Sequence, residues 1–172
     1  MKKLGLVFLL ACLACVPARA NDFLVLTVNG VNCVTTNETD LLNGPGIAVT
    51  AWLWGATTIT GPNGSNATPK GPASLNLFTF NKPMDQCTAP LLAMNLNGTH
   101  SSSVTMTQYT GATASSKPAA GMVVTLSTSF VASYSVGGDT GDNPTETWTL
   151  TFSKICVANK QNGASYCYST GP

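Results

Sequence analysis

The chain has 172 residues, only 9% of them charged, with eight basic residues against seven acidic ones and six cysteines. That length suits one domain with a sizeable core and leaves little room for two. Charge so sparse and balanced excludes a basic surface for nucleic acid or anionic membrane, so the surface must be wetted by Thr, Ser and Asn.

Lys2 and Lys3 precede an apolar run from Leu4 to Val16, and Ala18-Arg19-Ala20 stands before Asn21. This is the order of basic start, apolar core and small-residue cleavage site in a secretory signal. We expect residues 1–20 to be removed and 21–172 to form a single domain in the periplasm or outside the cell. The remaining five basic and seven acidic residues give a formal charge of −2. A competing reading takes Leu9-Leu10-Ala11-Cys12 as a lipid-attachment box, behind an apolar core of only about eight residues. No later run is long and apolar enough to span a bilayer.

Phe23-Leu-Val-Leu-Thr-Val28 is a nearly continuous apolar run ended by Asn29-Gly30, which predicts a buried strand. Residues 32–46 carry turn residues without a period and predict a long exposed loop, of a length that tends to be functional. Ile47, Val49, Ala51 and Leu53 alternate with Ala48, Thr50, Trp52 and Trp54, predicting one strand up to Gly55 with both faces covered. Residues 61–72 read as a linker, and 74–80 as a strand leading into a helix. That helix is predicted over 88–97, with Thr88 as N-cap, Pro90 in the first turn, and Asn97-Gly98 as a left-handed stop. It is short, so Leu91, Leu92, Met94 and Leu96 must find an apolar surface. Alternation resumes at Val104 and Met106 and again at Met122, Val124 and Leu126. A further apolar set follows at Phe130, Ala132, Tyr134 and Val136, and one strand is predicted over 147–157. About seven strands with one covering helix predict an all-β sandwich or small barrel.

Several strings resemble one family, the Hcp tube proteins of bacterial type VI secretion. Ala51-Trp-Leu-Trp-Gly55 resembles its W-x-W/F-G strand end, through Trp52, Trp54 and Gly55. Phe78-Thr-Phe-Asn-Lys-Pro-Met-Asp85 and Thr88-Ala-Pro-Leu-Leu92 resemble its strand-to-helix passage, which contributes Phe80, Lys82, Asp85, Pro90 and Leu91. Gly98-Thr-His100 is similar to a G-K-H string after the helix. The stretch Tyr134 to Glu146, with Gly137, Gly138, Thr145 and Glu146, followed by Leu150-Thr-Phe-Ser-Lys-Ile155 with Phe152 and Lys154, looks like its glycine-rich turn and L-x-F-x-K-I strand. The resemblance implies a two-sheet β-barrel of the Hcp and phage tail-tube type with one lateral helix. It also implies six copies closing into a ring, rings stacking into a hollow tube, a lumen able to carry small effector proteins, and neither chemistry nor cofactor. The loop after the first strand, here Asn32, Cys33, Asn37, Glu38, Asp40, Asn43 and Gly44, is implied to reach the next ring. The chain departs from the family in its secretory signal, its cysteines, its scarce charge and Thr99 where lysine is usual. An alternative reading is an exported binding module or adhesin on the same fold that does not polymerise.

The other candidate sites have bland readings. His100, the sole histidine, lacks a triad pattern and reads as a packing or turn residue. The thinly spread carboxylates do not support general acid–base work. Asp139, Asp142 and Asn143 lack the ligand spacing of a calcium loop. Trp52 and Trp54 could stack a sugar but read better as core or subunit-contact aromatics. Sequons at Asn37, Asn63, Asn66 and Asn97 are what chance supplies in such a composition. The strands around 104–109, 122–129 and 147–151 contain no charged residue, which argues for edges covered by neighbouring copies.

Four cysteines lie beyond the signal, and an even number in an exported chain implies two disulfides in one of three connectivities. With no C-x-x-C spacing and one histidine, zinc is the weaker reading. A turn of Lys160, Gln161, Asn162 and Gly163 would set Asn159 opposite Ala164 and Cys156 opposite Cys167, at a non-hydrogen-bonded site where a disulfide closes. Cys33–Cys87 is then the remaining bond; the other two connectivities stay open.

Overall fold

The computed structural model describes residues 21–33, 46–57, 74, 75, 77–112 and 119–169. Within these the strands are β1 (Asn21–Val28), β2 (Ile47–Val49), β3 (Ala51–Leu53), β4 (Ala56–Thr57), β5 (Ser74–Leu75) and β6 (Phe78–Pro83). The helix α1 (Thr88–Asn97) comes next, then β7 (Ser101–Ala112), β8 (Ala119–Gly137), β9 (Thr145–Thr151), β10 (Lys154–Asn159) and β11 (Ser165–Ser169). Antiparallel pairing runs β2-β1-β7-β8-β9-β6-β3, with β10 on β8 and β11 on β10; β4 and β5 form a separate pair. Among the described residues the chain is plainly all-β with one short helix.

The two ends of that path, β2 and β3, are chain neighbours joined at Thr50, whose N–H donates to the Asn81 carbonyl at 2.9 Å. The ladder therefore returns to the stretch where it began and wraps around one core. Leu26, Val28, Val104, Met106, Val124 and Leu126 fill it from one side, Phe78, Phe80, Trp148 and Leu150 from the other, and Leu91 from the helix.

Alternation reads straight through each of the places where the path changes partner, which is why the sequence overruns them. The single strand expected through 47–55 is split at Thr50: β2 pairs with β1, and β3 with β6. Leu53 is 72% exposed, so that stretch is not covered on both faces. The strand expected over 147–157 is split at Phe152 and Ser153, because Trp148 and Leu150 belong to the β6–β9–β8 ladder while Ile155 pairs back to Leu126 of β8. Conversely, the two apolar sets at 122–126 and 130–136 lie on one long strand. Its first half sits between β7 and β10 and its second half pairs with β9, with Thr128 at φ 48° and a register shift between Val131 and Ser133 at the changeover. The inward face changes at Thr128, so that Ser129 is buried and Phe130 exposed, and changes back at the register shift, after which Tyr134 faces Trp148 again while Val136, near the strand's end, is 47% exposed. Eleven strands thus stand among the described residues where about seven were expected.

The uncharged strands are not edges. β7 lies between β1 and β8, β8 between β7 and β9, and β9 between β8 and β6. Their lack of guarding charge follows from position inside the ladder and says nothing about neighbouring copies.

Candidate functional site

The inward row of β8, β9, β6 and β3 is aromatic. Tyr134, Trp148, Phe80 and Trp52 stand opposite one another in register, with Tyr134 4.4 Å and Phe80 6.4 Å from the Trp148 ring, and Trp52 stacked on Phe78 at 5.9 Å. The next row of the same face is charged. Lys82 stands directly across from Glu146, its Nζ 2.8 Å from Oε2, and both side chains are fully buried.

The rest of the cluster satisfies these two charges. Lys82 Nζ also donates to the Pro83 carbonyl at 2.8 Å, to Asp85 Oδ1 at 2.7 Å and to Thr88 Oγ1 at 3.2 Å. Glu146 accepts from Trp148 Nε1 at 3.1 Å and from the Tyr134 hydroxyl at 3.2 Å. Burial alone pushes the Glu146 carboxyl up, but hydrogen bonds from Lys82, Thr88 and Trp148 and the Lys82 charge outweigh it and hold the group below its ordinary value. Burial, followed by the Glu146 charge and the bond to it, pushes the Tyr134 phenol up.

This cluster seats the helix. Asp85 Oδ1 accepts the Cys87 N–H at 2.8 Å while bound to Lys82, so the start of α1 is tied to the ion pair. Thr88, expected as N-cap, is instead the first helical residue; the cap position is Cys87, with no side-chain cap, because the Thr88 hydroxyl is engaged by Lys82 and the Asp85 N–H. At the other end Gly98 adopts φ 61°, and its N–H and that of Thr99 return to Asn95 and Met94, closing the helix in the left-handed stop that glycine permits. Asn95 Nδ2 donates to the Val131 carbonyl at 2.8 Å and holds α1 on β8. Leu91 is buried and Leu92 and Met94 pack on the core, whereas Leu96 is 75% exposed and finds no apolar surface among the described residues.

Cys33 is bonded to Cys87, with Cα atoms 5.6 Å apart, and the Gly46 N–H donates to the Cys33 carbonyl at 3.0 Å. The base of the 32–46 loop is therefore closed and covalently fixed to the helix start. Asn32 and Cys33 are at that base; Asn37, Glu38, Asp40, Asn43 and Gly44 lie outside the described residues, as do residues 1–20 and the sequons at Asn63 and Asn66. Cys156 is bonded to Cys167 across the β10–β11 hairpin, Cα atoms 4.0 Å apart, with the Asn159 N–H donating to the Ala164 carbonyl at the turn.

The remaining motif residues are scattered over the fold. Trp54 walls a cavity of about 200 Å³ with Ala56, Leu75, Ile155, Val157, Tyr166 and Tyr168, and Gly55 follows it between β3 and β4. Pro90 lies in the first helical turn. His100 is exposed, its ring 5.5 Å from Phe130. Gly137 ends β8, and at Gly138 an added Cβ would meet Pro144 Cα at 3.1 Å, so a side chain there would press the returning turn back by a few tenths of an ångström. Thr145 opens β9; Phe152 is half-buried; Lys154 is exposed at the start of β10. Asp139, Asp142 and Asn143 sit in the turn, where Asn143 Nδ2 donates to Met84 O. Among the described residues no three His, Cys, Asp or Glu side chains come together as a metal site.

A family model for the type VI secretion system effector Hcp matches residues 26–158. This chain belongs to the Hcp family. Solved Hcp structures share its fold at low identity. A type VI secretion system effector from Yersinia pestis is 17% identical with a TM-score of 0.66, covering 86% of this chain and 99% of the other. Hcp1 from Salmonella typhimurium is 17% identical with a TM-score of 0.67, covering 87% and 95%. Secreted protein Hcp3 from Pseudomonas aeruginosa is 14% identical with a TM-score of 0.62, covering 87% and 97%. No curated protein matches in sequence. Lys82, Asp85 and Glu146 enter the sequence reading only as members of resembling strings, and their pairing is missed. A signal for it exists: Lys82 extends the inward series Phe78, Phe80, and Glu146 opens the inward series Trp148, Leu150. A charge at the next inward position of a buried face requires a partner of opposite sign.

Proposed function

We propose that this member of the Hcp family is a structural, non-enzymatic tube subunit that leaves the cytoplasm through a cleaved signal over residues 1–20. It forms hexameric rings that stack through the 32–46 loop, with a lumen open to small effector cargo. The observation that carries the reading is the family match over 26–158, joined to a fold shared with Hcp structures over nearly their whole length. The burial of the Lys82–Glu146 cluster supports a structural role, because neither side chain has solvent contact through which to meet a substrate. Two disulfides suit an oxidising compartment and so support export.

The hydrogen bond between Gly46 and Cys33 places the loop's ends side by side, so residues 34–45 can be replaced by a short Gly-Ser bridge without opening the fold. Electron microscopy of that variant should give rings that no longer stack. Tubes of normal length from the shortened chain would remove the loop from the account.

A further inference from the structure

Among the described residues the outer edge of β11 is open, since β11 pairs with β10 alone. Asn159 and Ala164 close the hairpin as a hydrogen-bonded pair, so bonding alternates along it. Tyr166 and Tyr168 bond to Val157 and Ile155, while Ser165, Cys167 and Ser169 turn their N–H and C=O away from β10. An edge of this kind in a protein that stays single is guarded by Lys, Pro or a bulge, and Ser165-Tyr-Cys-Tyr-Ser169 has none of these. The Cys156–Cys167 bond keeps the strand from peeling away, so the edge is held ready.

The strand also reads the same in both directions about Cys167. A second copy laid antiparallel across a two-fold axis at Cys167 meets it with every feature matched. Cys167 faces Cys167 of the other copy, and Ser165 faces Ser169. These are the residues whose main-chain groups point outward, so each exchanges N–H and C=O with its counterpart. Tyr166, 74% exposed in one copy, then lies beside Tyr168 of the other on the shared face, an aromatic cross-strand pair made twice. The strand carries no charge that would repel its copy.

We propose that the β11 edge is a self-recognition surface, which joins two copies of this chain by isologous antiparallel strand pairing centred on Cys167. A two-fold contact of this kind closes on itself and cannot generate a ring, so it is separate from any ring contact. It would join two subunits, two rings or two tubes.

The test mixes equal amounts of ¹⁴N- and ¹⁵N-labelled mature protein, oxidises exposed tyrosines photochemically, and maps the linked peptides. Mixed-isotope dityrosine between Tyr166 and Tyr168 is expected, falling at least tenfold in Ser165→Pro. Proline there removes only an outward N–H and leaves the bonds of Tyr166 and Tyr168 to β10 in place. Ser169→Pro is the second variant by the same logic, and recovery of the Cys156–Cys167 linked peptide shows that a variant has kept its hairpin. Absence of the mixed-isotope link in the unaltered protein overturns the proposal, as does its persistence at full yield in a folded proline variant.

Discussion

Lys82 and Glu146 face each other across β6 and β9, their charged atoms 2.8 Å apart and both side chains out of contact with solvent. Removing two charges from water costs several kcal/mol per ion, and here the cost is offset by their mutual attraction, by the bond Lys82 donates to Asp85, and by bonds from Trp148, Tyr134 and Thr88 to Glu146. Breaking the pair from one side leaves a buried charge without its partner. Glu146→Gln should therefore lower stability to urea by about 3–5 kcal/mol, while the double variant Lys82→Met, Glu146→Gln should lose clearly less. A single variant within about 1 kcal/mol of the unaltered protein would mean that the pair has little part in holding the helix.

The same pair sets an acid limit. The Glu146 carboxyl is held below its ordinary value of 4.5 in the folded protein. Its contribution is therefore complete above the unfolded value and is lost as pH falls from there through the folded one. Urea midpoints measured between neutral pH and pH 2 should fall steeply below about 4.5, the ordinary value, and Glu146→Gln should flatten that slope. An unchanged slope in the variant would assign the acid limit to other carboxylates.

The helix separates two leucines that its sequence treats alike. Leu91 is buried and Leu96 is 75% exposed. Leu91→Ala should cost about 2–5 kcal/mol and Leu96→Ser less than about 0.5. Thermal melts decide, and equal losses at both sites would mean that the helix seats differently.

How much of this was legible depended on whether the signal was local. The helix over 88–97 is written in neighbouring residues, Pro90 at its start and Gly98 at its end, and these mark it correctly. Its cap is not, because the Thr88 hydroxyl is drawn away by Lys82, a residue of the preceding strand. Strand breaks at Thr50 and at Phe152–Ser153 were invisible, since side-chain alternation continues while the backbone partner changes. Uncharged strands read as edges for the same reason: charge is absent from a central strand too, and only the ladder order separates the cases.

The two disulfides close chain segments of different length, with 54 residues separating Cys33 from Cys87 and 11 separating Cys156 from Cys167. By chain entropy the longer should stabilise by about 4 kcal/mol and the shorter by about 3. Paired Cys→Ser variants should show that order in urea midpoints, with a further loss at Cys87, which is fully buried and leaves a serine hydroxyl without water. The reverse order would indicate that the hairpin, not the loop base, carries the larger constraint.

Assembly is tested most directly by electron microscopy of purified protein beginning at Asn21, with both disulfides formed. Six-fold rings, alone or stacked into hollow tubes, are the predicted result. A monodisperse monomer at the highest attainable concentration would contradict it and leave the fold in use for binding alone.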